Sequence, residues 1–349
     1  MRHKHLVTIA VLSLLIALPL GVFINARAQR NTTNRSESLP ANYRISGPYT
    51  HKNLTIFLVH GKDLLPGKNF LTLQEALAQK KVRVYETKDV NELAIRNFSN
   101  QDVYVQSGDI VRGGDQDRMI SIDFIVPPHS GRMPIAAFCV ESGRWSQRGN
   151  EQSAWFSSSD NAAATRELKL AAKSAGSQEA VWANVSAAQA KLSQNVGYIV
   201  NAQASTTSYE LAVENAKVKQ TTAAYIDALS GVVRNKADVI GYAFAINGQV
   251  NSADVYASHA LFAKLWPKLL KATATEALAE LNPDKKAEPV AGEAINAFLA
   301  DSQQPKPQAK AVTDRVRVVT REDDKNVFFE TQDRRQNDAW VHRNYIRKQ

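Results

Sequence analysis

The sequence predicts an α+β fold: an antiparallel β-sandwich or roll with an inserted helical segment, completed by C-terminal strands. Three observations carry this. Short runs that alternate apolar and polar residues recur from Leu54 to Glu141, punctuated by glycine turns. An alanine-rich stretch with helical spacing fills 160–235. Alternating runs then return at 241–256 and in the closing residues 313–349.

The elements follow in order. Leu54 to Val59 is a short apolar run ending at His60-Gly61, suited to a buried strand. Thr72, with Glu75 three positions on, forms a capping box that starts a helix. Val82 to Glu86, Glu92 to Phe98 and Asp102 to Gln106 alternate with period two and read as strands. Ile110-Val111-Arg112 lies between the turn signals Ser107-Gly108-Asp109 and Gly113-Gly114-Asp115. Met119 to Val126 alternates up to Pro127-Pro128, and Ile135 to Glu141 is a further strand.

Helices are expected over Asn161 to Lys173, Ser177 to Leu192 and Tyr209 to Val232. Asn247-Gly248 between two alternating runs is a hairpin signal. Ser258 opens a last long helix that Pro267 should kink, and a connector, partly helical at Glu293 to Leu299, spans 282–312. Arg315 to Thr320, Val327 to Glu330 and Ala339 to Ile346 are the closing strands.

The N-terminus predicts export. Arg2, His3 and Lys4 precede an uncharged apolar run from Leu6 to Ile24, and Ala26-Arg27-Ala28 is a small-x-small cleavage pattern. An uncleaved anchor is the alternative, because the run approaches the roughly 20 apolar residues that cross a bilayer. The expected organisation is a signal peptide over 1–28, a flexible leader over 29–50 and a single domain over 51–349. Localisation is then periplasmic or secreted, with membrane contact only through an uncleaved N-terminal segment.

Composition narrows the function classes. The chain has 349 residues and is 44% hydrophobic, enough for a sizeable core and unlike a disordered protein. Part of the net charge of +9 belongs to Arg2, Lys4, Arg27 and Arg30, and the remainder forms no contiguous basic block. No zinc knuckle or RNP pattern is present, so nucleic acid is not an expected partner. Cys139 is the only cysteine, which excludes an intrachain disulfide. The histidines are scattered and no EF-hand spacing occurs, so neither a metal nor a cofactor is expected.

Residues from Gly113 to Trp145 concentrate the groups least explained by packing. The period-two rule puts Ile135, Ala137, Cys139 and Glu141 on one strand face, and Ala136, Phe138 and Val140 on the other. Glu141 can act as a general base or polar anchor, Arg144 can hold an anionic group bidentately, and Trp145 can stack on a ring. Gly113-Gly114 leads into Asp115, Gln116, Asp117 and Arg118; its amides can cradle an anion while Gln116 and Arg118 hold its substituents. The competing reading is structural: Glu141 pairs with Arg144, Trp145 plugs the core, and the glycines only make a turn. Cys139 is a candidate nucleophile through His129, or simply a buried small hydrophobe.

These same residues resemble a known family, the ARG and rhodanese-phosphatase-superfamily-associated protein domain. The resembling segments are the helix L-T-L-Q-E-A-L, N-E-L-A-I-R-N-F, V-Y-V-Q-S-G-D-I-V-R-G-G-D-Q-D-R, the V-P-P turn and C-V-E-S-G-R-W at Cys139 to Trp145. G-Y-A-F-A-I-N-G, F-A-K-L-W-P-K-L-L and Trp340-Val341-His342-Arg343 are also similar. The resemblance implies no activity residue by residue; by association it implies a role near ADP-ribose or nucleotide-derived ligands. An exported chain departs from that cytosolic setting.

Three functions are therefore carried forward. One is binding of a small anionic, nucleotide- or sugar-like ligand by Gln116, Arg118, Glu141, Arg144 and Trp145, which requires these groups to converge on an open concavity. The second is a hydrolase with Glu141 or Asp117 as general base. The third is an envelope interaction module in which those residues only hold the fold together.

Overall fold

The computed structural model describes residues 43–284 and 288–348. The expected signal peptide at 1–28, the leader up to residue 42, and residues 285–287 of the connector lie outside the described residues.

An antiparallel sheet of eight strands runs in the order Arg44–His51, Leu54–His60, Val239–Ile246, Gln249–Tyr256, Ala339–Arg347, Asn326–Asp333, Val316–Glu322 and Gln308–Ala311. Strand alternation sorts its side chains into two layers. Leu54, Ile56, Leu58, Tyr242 and Phe244 meet the helix His259–Ala279 through Phe262, Leu265, Trp266 and Leu269. Phe57, Val59, Ala243, Val255 and Tyr345 meet the helix Gly292–Asp301 through Ile295, Phe298 and Leu299. With a helix on each face, Val239–Ile246 is buried at every position.

The second body is a closed barrel of six strands, ordered Met133–Cys139, Glu92–Asn97, Val82–Asp89, Trp155–Ala162, Asp109–Gly113 and Arg118–Ile120. Val84, Leu93, Ile95, Val111, Ile120, Ile135, Ala137 and Phe156 belong to its apolar cluster. A small sheet of Leu71–Thr72, Val103–Val105 and Phe124–Val126, with the helix Leu73–Ala78, adds Leu73, Val103 and Val126 to the same cluster. Closure removes the exposed edges an open roll would leave. The α+β class is thus what the structure shows, with the strands divided between a broad sheet and a barrel.

Several elements differ from the sequence reading, each for a local reason. Residues 44–50, expected as leader, belong to the edge strand Arg44–His51, whose mixed exposure and Gly47-Pro48 hide its periodicity; proline is tolerated at an edge. The expected helix from Asn161 begins at Arg166, capped by Thr165, because Trp155–Ala162 is a barrel strand. Met119 to Val126 is split between the barrel and the small sheet; the break falls at 121–123, where the Asp123 carboxylate accepts from Thr331 and His342. Tyr209 to Val232 breaks into Tyr209–Val213 and Ala216–Leu229, since Asn215 caps the second helix. The long helix continues through Pro267.

Candidate functional site

The Gly113-to-Trp145 residues form a buried ion-pair network at the junction of the barrel and the helical segment. Gly113 (φ 128) and Gly114 (φ 56) turn the chain in the region that favours glycine, and a Cβ on Gly114 would meet the Glu86 carboxylate and the Phe156 ring. The turn does present amides to anions, but the anions belong to the protein. Gly113 N–H donates to Asp117 Oδ1 at 3.2 Å, Asp115 N–H to Glu86 Oε2 at 3.3 Å and Asp117 N–H to Glu141 Oε2 at 3.3 Å.

Arginines complete the network. Arg144 Nε donates to Glu141 Oε2 at 2.9 Å, and its Nη1 donates to the Gly114 carbonyl at 3.1 Å. Arg148 lies 2.9 Å from Asp117 Oδ2 and 2.8 Å from Glu151 Oε1. Arg112 continues the chain of charges from Glu151 at 3.3 Å to Glu214 at 3.4 Å. Burial, opposed by Arg148 and reinforced by neighbouring Glu141, raises the Asp117 carboxyl from 3.8 to about 7.

Of the five expected ligand contacts, Gln116, Arg118, Glu141 and Arg144 are buried, while Trp145 is 58% exposed. Glu141 and Arg144 pair directly. Arg118 belongs to a separate pair with Glu86 at 3.3 Å, and its Nη1 donates to the Asp89 and Val90 carbonyls. Neither polar atom of the Gln116 amide hydrogen-bonds a described residue. Cys139 is buried, and that burial pushes its thiol up to about 11. The strand faces fall as expected, with Ile135 and Ala137 in the barrel cluster and Phe138 and Val140 against the helical segment.

The barrel's outer surface carries a different arrangement. Val82–Asp89 and Glu92–Asn97 pair so that Arg83 stands opposite Arg96. The adjoining strand pairs Met133 with Ile95, so Arg132 comes next in the same row. Each guanidinium lies over an aromatic ring: Arg83 is 5.0 Å from Trp155, Arg96 is 4.9 Å from Phe98 and Arg132 is 4.0 Å from Tyr85. Among the described residues, no carboxylate pairs with Arg83, Arg96, Arg132 or Lys80. Beside them runs a groove of about 690 Å³ lined by Lys80, Arg83, Phe98, Glu151, Trp155 and Ser157, among others.

A third cluster lies between the broad sheet and the small sheet. His342 Nδ1 is 2.7 Å from Asp123 Oδ2 and its Nε2 is 3.0 Å from Asp254 Oδ1, so both ring nitrogens face carboxylates. Burial lowers the imidazole pKa, but the two carboxylates outweigh it and raise the value overall; they are held low in turn by the cation. Sequence reasoning placed His342 among scattered histidines and in the family-like segment Trp340-Val341-His342-Arg343, and gave it no role. The available signal was Asp254 inside the run that follows the Asn247-Gly248 turn, together with Asp123 interrupting the run from Met119 to Val126.

A family model describing the ARG and Rhodanese-Phosphatase-superfamily-associated Protein domain matches residues 42–346. No curated protein and no solved structure matches the chain. Nearly the whole described chain is covered by that match, the barrel, helical segment and broad sheet together, and the protein belongs to the ARG and Rhodanese-Phosphatase-superfamily-associated Protein domain family.

Proposed function

We propose that this chain binds a small anionic, nucleotide- or sugar-like ligand, and that it does so in the groove beside Arg83 and Trp155. The observation that carries the reading is the row of Arg83, Arg96 and Arg132 with no acidic partner among the described residues, flanking exposed Trp155 and Phe98. Like charges directly opposite on a sheet are destabilising, and stacking on rings offsets only part of that. An arriving phosphate or carboxylate gains bidentate donors from Arg83, while Trp155 and Phe98 offer faces to a ring. The buried network has a supporting part here: Arg148 and Arg112 hold Glu151, which lines the groove, and Trp155 follows on the same segment.

One observation favours hydrolysis as a second reading. Asp117 at about 7 is matched to proton transfer near neutral pH, with Glu141 beside it. Asp117 is fully buried, so that chemistry needs the Glu141-to-Glu151 segment to move before substrate can reach it.

The binding is proposed to take place outside the cytoplasm, on the strength of the Arg2-to-Ala28 pattern; no helix among the described residues is long and apolar enough to cross a membrane. Cell fractionation tests the location. A thermal-shift screen of the full chain against ADP-ribose, nucleotide sugars and sugar phosphates tests the ligand. The expected result is stabilisation by phosphate-bearing probes that disappears in Arg83→Ala. Stabilisation by none of them, or stabilisation that survives Arg83→Ala, overturns the reading.

A further inference from the structure

Lys173 sits where the helical segment departs from α geometry. Arg166–Leu170 is α-helical, but Ala171–Ala175 forms a π turn that ends at Gly176 in the left-handed region. Such turns are rare and occur disproportionately at functional positions, because the extra residue re-aims a side chain. Here Ala171 and Ala172 are buried, and Lys173 reaches the boundary between two cavities.

One cavity, of about 40 Å³, has a mixed lining that includes Gln106, Lys169, Asp254, His342 and Asn344 beside Leu269 and Ala272. The other, of about 150 Å³, has Ile122, Val312, Val318 and Phe329 as apolar walls and Asp123, Lys173, Thr320 and Thr331 as polar ones, with Lys310 also on its lining. The larger cavity holds the equivalent of about five water molecules of liquid volume, room for a molecule of a few carbon atoms.

The partners of the amine are unusual for a half-buried lysine. Its Nζ donates to Asn344 Oδ1 at 2.9 Å and lies 4.6 Å from the Phe329 ring centre. An amide oxygen accepts equally from an ammonium and from a neutral amine, so this bond does not fix the charge. The nearby carboxylates are already engaged: Asp123 accepts from His342, Thr331 and the Ser107 amide, and Asp254 accepts from His342 and Asn344. No carboxylate forms an ion pair with Lys173 among the described residues, whereas neighbouring Lys169 has Glu276 at 3.6 Å. Burial pulls the Lys173 ammonium below the usual lysine range, opposed by Asp123 and Asp254 and reinforced by Lys169.

We propose that Lys173 is a nucleophilic amine that captures a small aldehyde or ketone in the Val318/Phe329 cavity as an imine. The Nζ lone pair forms the C–N bond while the carbonyl π pair moves to oxygen. The resulting carbinolamine then loses that oxygen as water together with the two amine protons, leaving C=N. No oxidant or further reactant is required. The site is separate from the arginine groove and does not depend on the reading given for it.

The test uses the full chain, propanal as the probe and cyanoborohydride to trap the imine, followed by peptide mass mapping. Lys173 is expected to be alkylated faster at neutral pH than exposed Lys80 and Lys88, since the cavity holds the probe against it and burial favours its free amine. Val318→Met, which narrows the cavity without touching the lysine, is expected to abolish that advantage while Lys80 labelling stays unchanged. Labelling spread evenly over the exposed lysines overturns the proposal, and so does fast Lys173 labelling that Val318→Met leaves intact. If Val318→Met fails to fold, Thr320→Met at the same cavity serves in its place and is read the same way.

Discussion

Replacing Asp117 with Asn should remove a large part of the pH dependence of folding stability. The carboxyl titrates at about 7 in the folded chain against an ordinary 3.8, with burial the leading cause. Between those values the folded chain keeps a proton that the unfolded chain has released, so stability falls as pH rises through this window and levels off above it. A difference of about three units, at about 1.4 kcal/mol each, amounts to about 4 kcal/mol. His342 slopes the same way over a higher range: its pKa is raised, so its contribution is full below the ordinary histidine value and is lost as pH rises through the folded value. That slope is common to both proteins and cancels in their difference. Urea unfolding of wild type and Asp117→Asn, in steps from about pH 4 to about pH 8, should show the wild type losing about 4 kcal/mol relative to the variant. A difference that stays flat across the range refutes the placement of Asp117 as a buried, raised carboxyl.

Other consequences follow from the same contacts. Arg144→Ala leaves Glu141 buried beside Asp117 without its closest cation, and the expected loss is about 3–5 kcal/mol in chemical denaturation. Cys139, buried and with its thiol pushed up to about 11, should resist a disulfide reagent in the native chain and react only on unfolding; rapid native reaction would contradict the burial.

Much of the scaffold was legible from local chemistry. The Thr72/Glu75 capping box is present with both of its bonds, and the Asn247-Gly248 turn joins the strands its neighbours announce. Alternation gave the two faces of Met133–Cys139 because one side fills the barrel and the other meets helices. Period-two patterning says nothing about which strands close on one another, so the division into barrel and broad sheet had no local signal. The same limit applies to Glu141 and Arg144: the residue types suit an anion site, but their burial depends on how the loop between Cys139 and Trp155 folds back to bring Arg144 and Arg148 onto Asp117. Arg83, Arg96 and Arg132 were visible as polar positions of alternating strands. Only the register brings them into one row. His342 was hidden more deeply still, since Asp123 and Asp254 reach it across 219 and 88 positions of chain.

The most direct test of the account is a binding titration of whichever phosphate-bearing probe stabilises the full chain, repeated with Arg83→Ala and with Glu141→Gln. Loss of a charge-assisted contact of about 1.5–3 kcal/mol predicts roughly 10- to 100-fold weaker binding in Arg83→Ala. Glu141→Gln should bind as the wild type does. The reverse pattern, with affinity lost in Glu141→Gln and kept in Arg83→Ala, would return the site to the buried network and contradict the account.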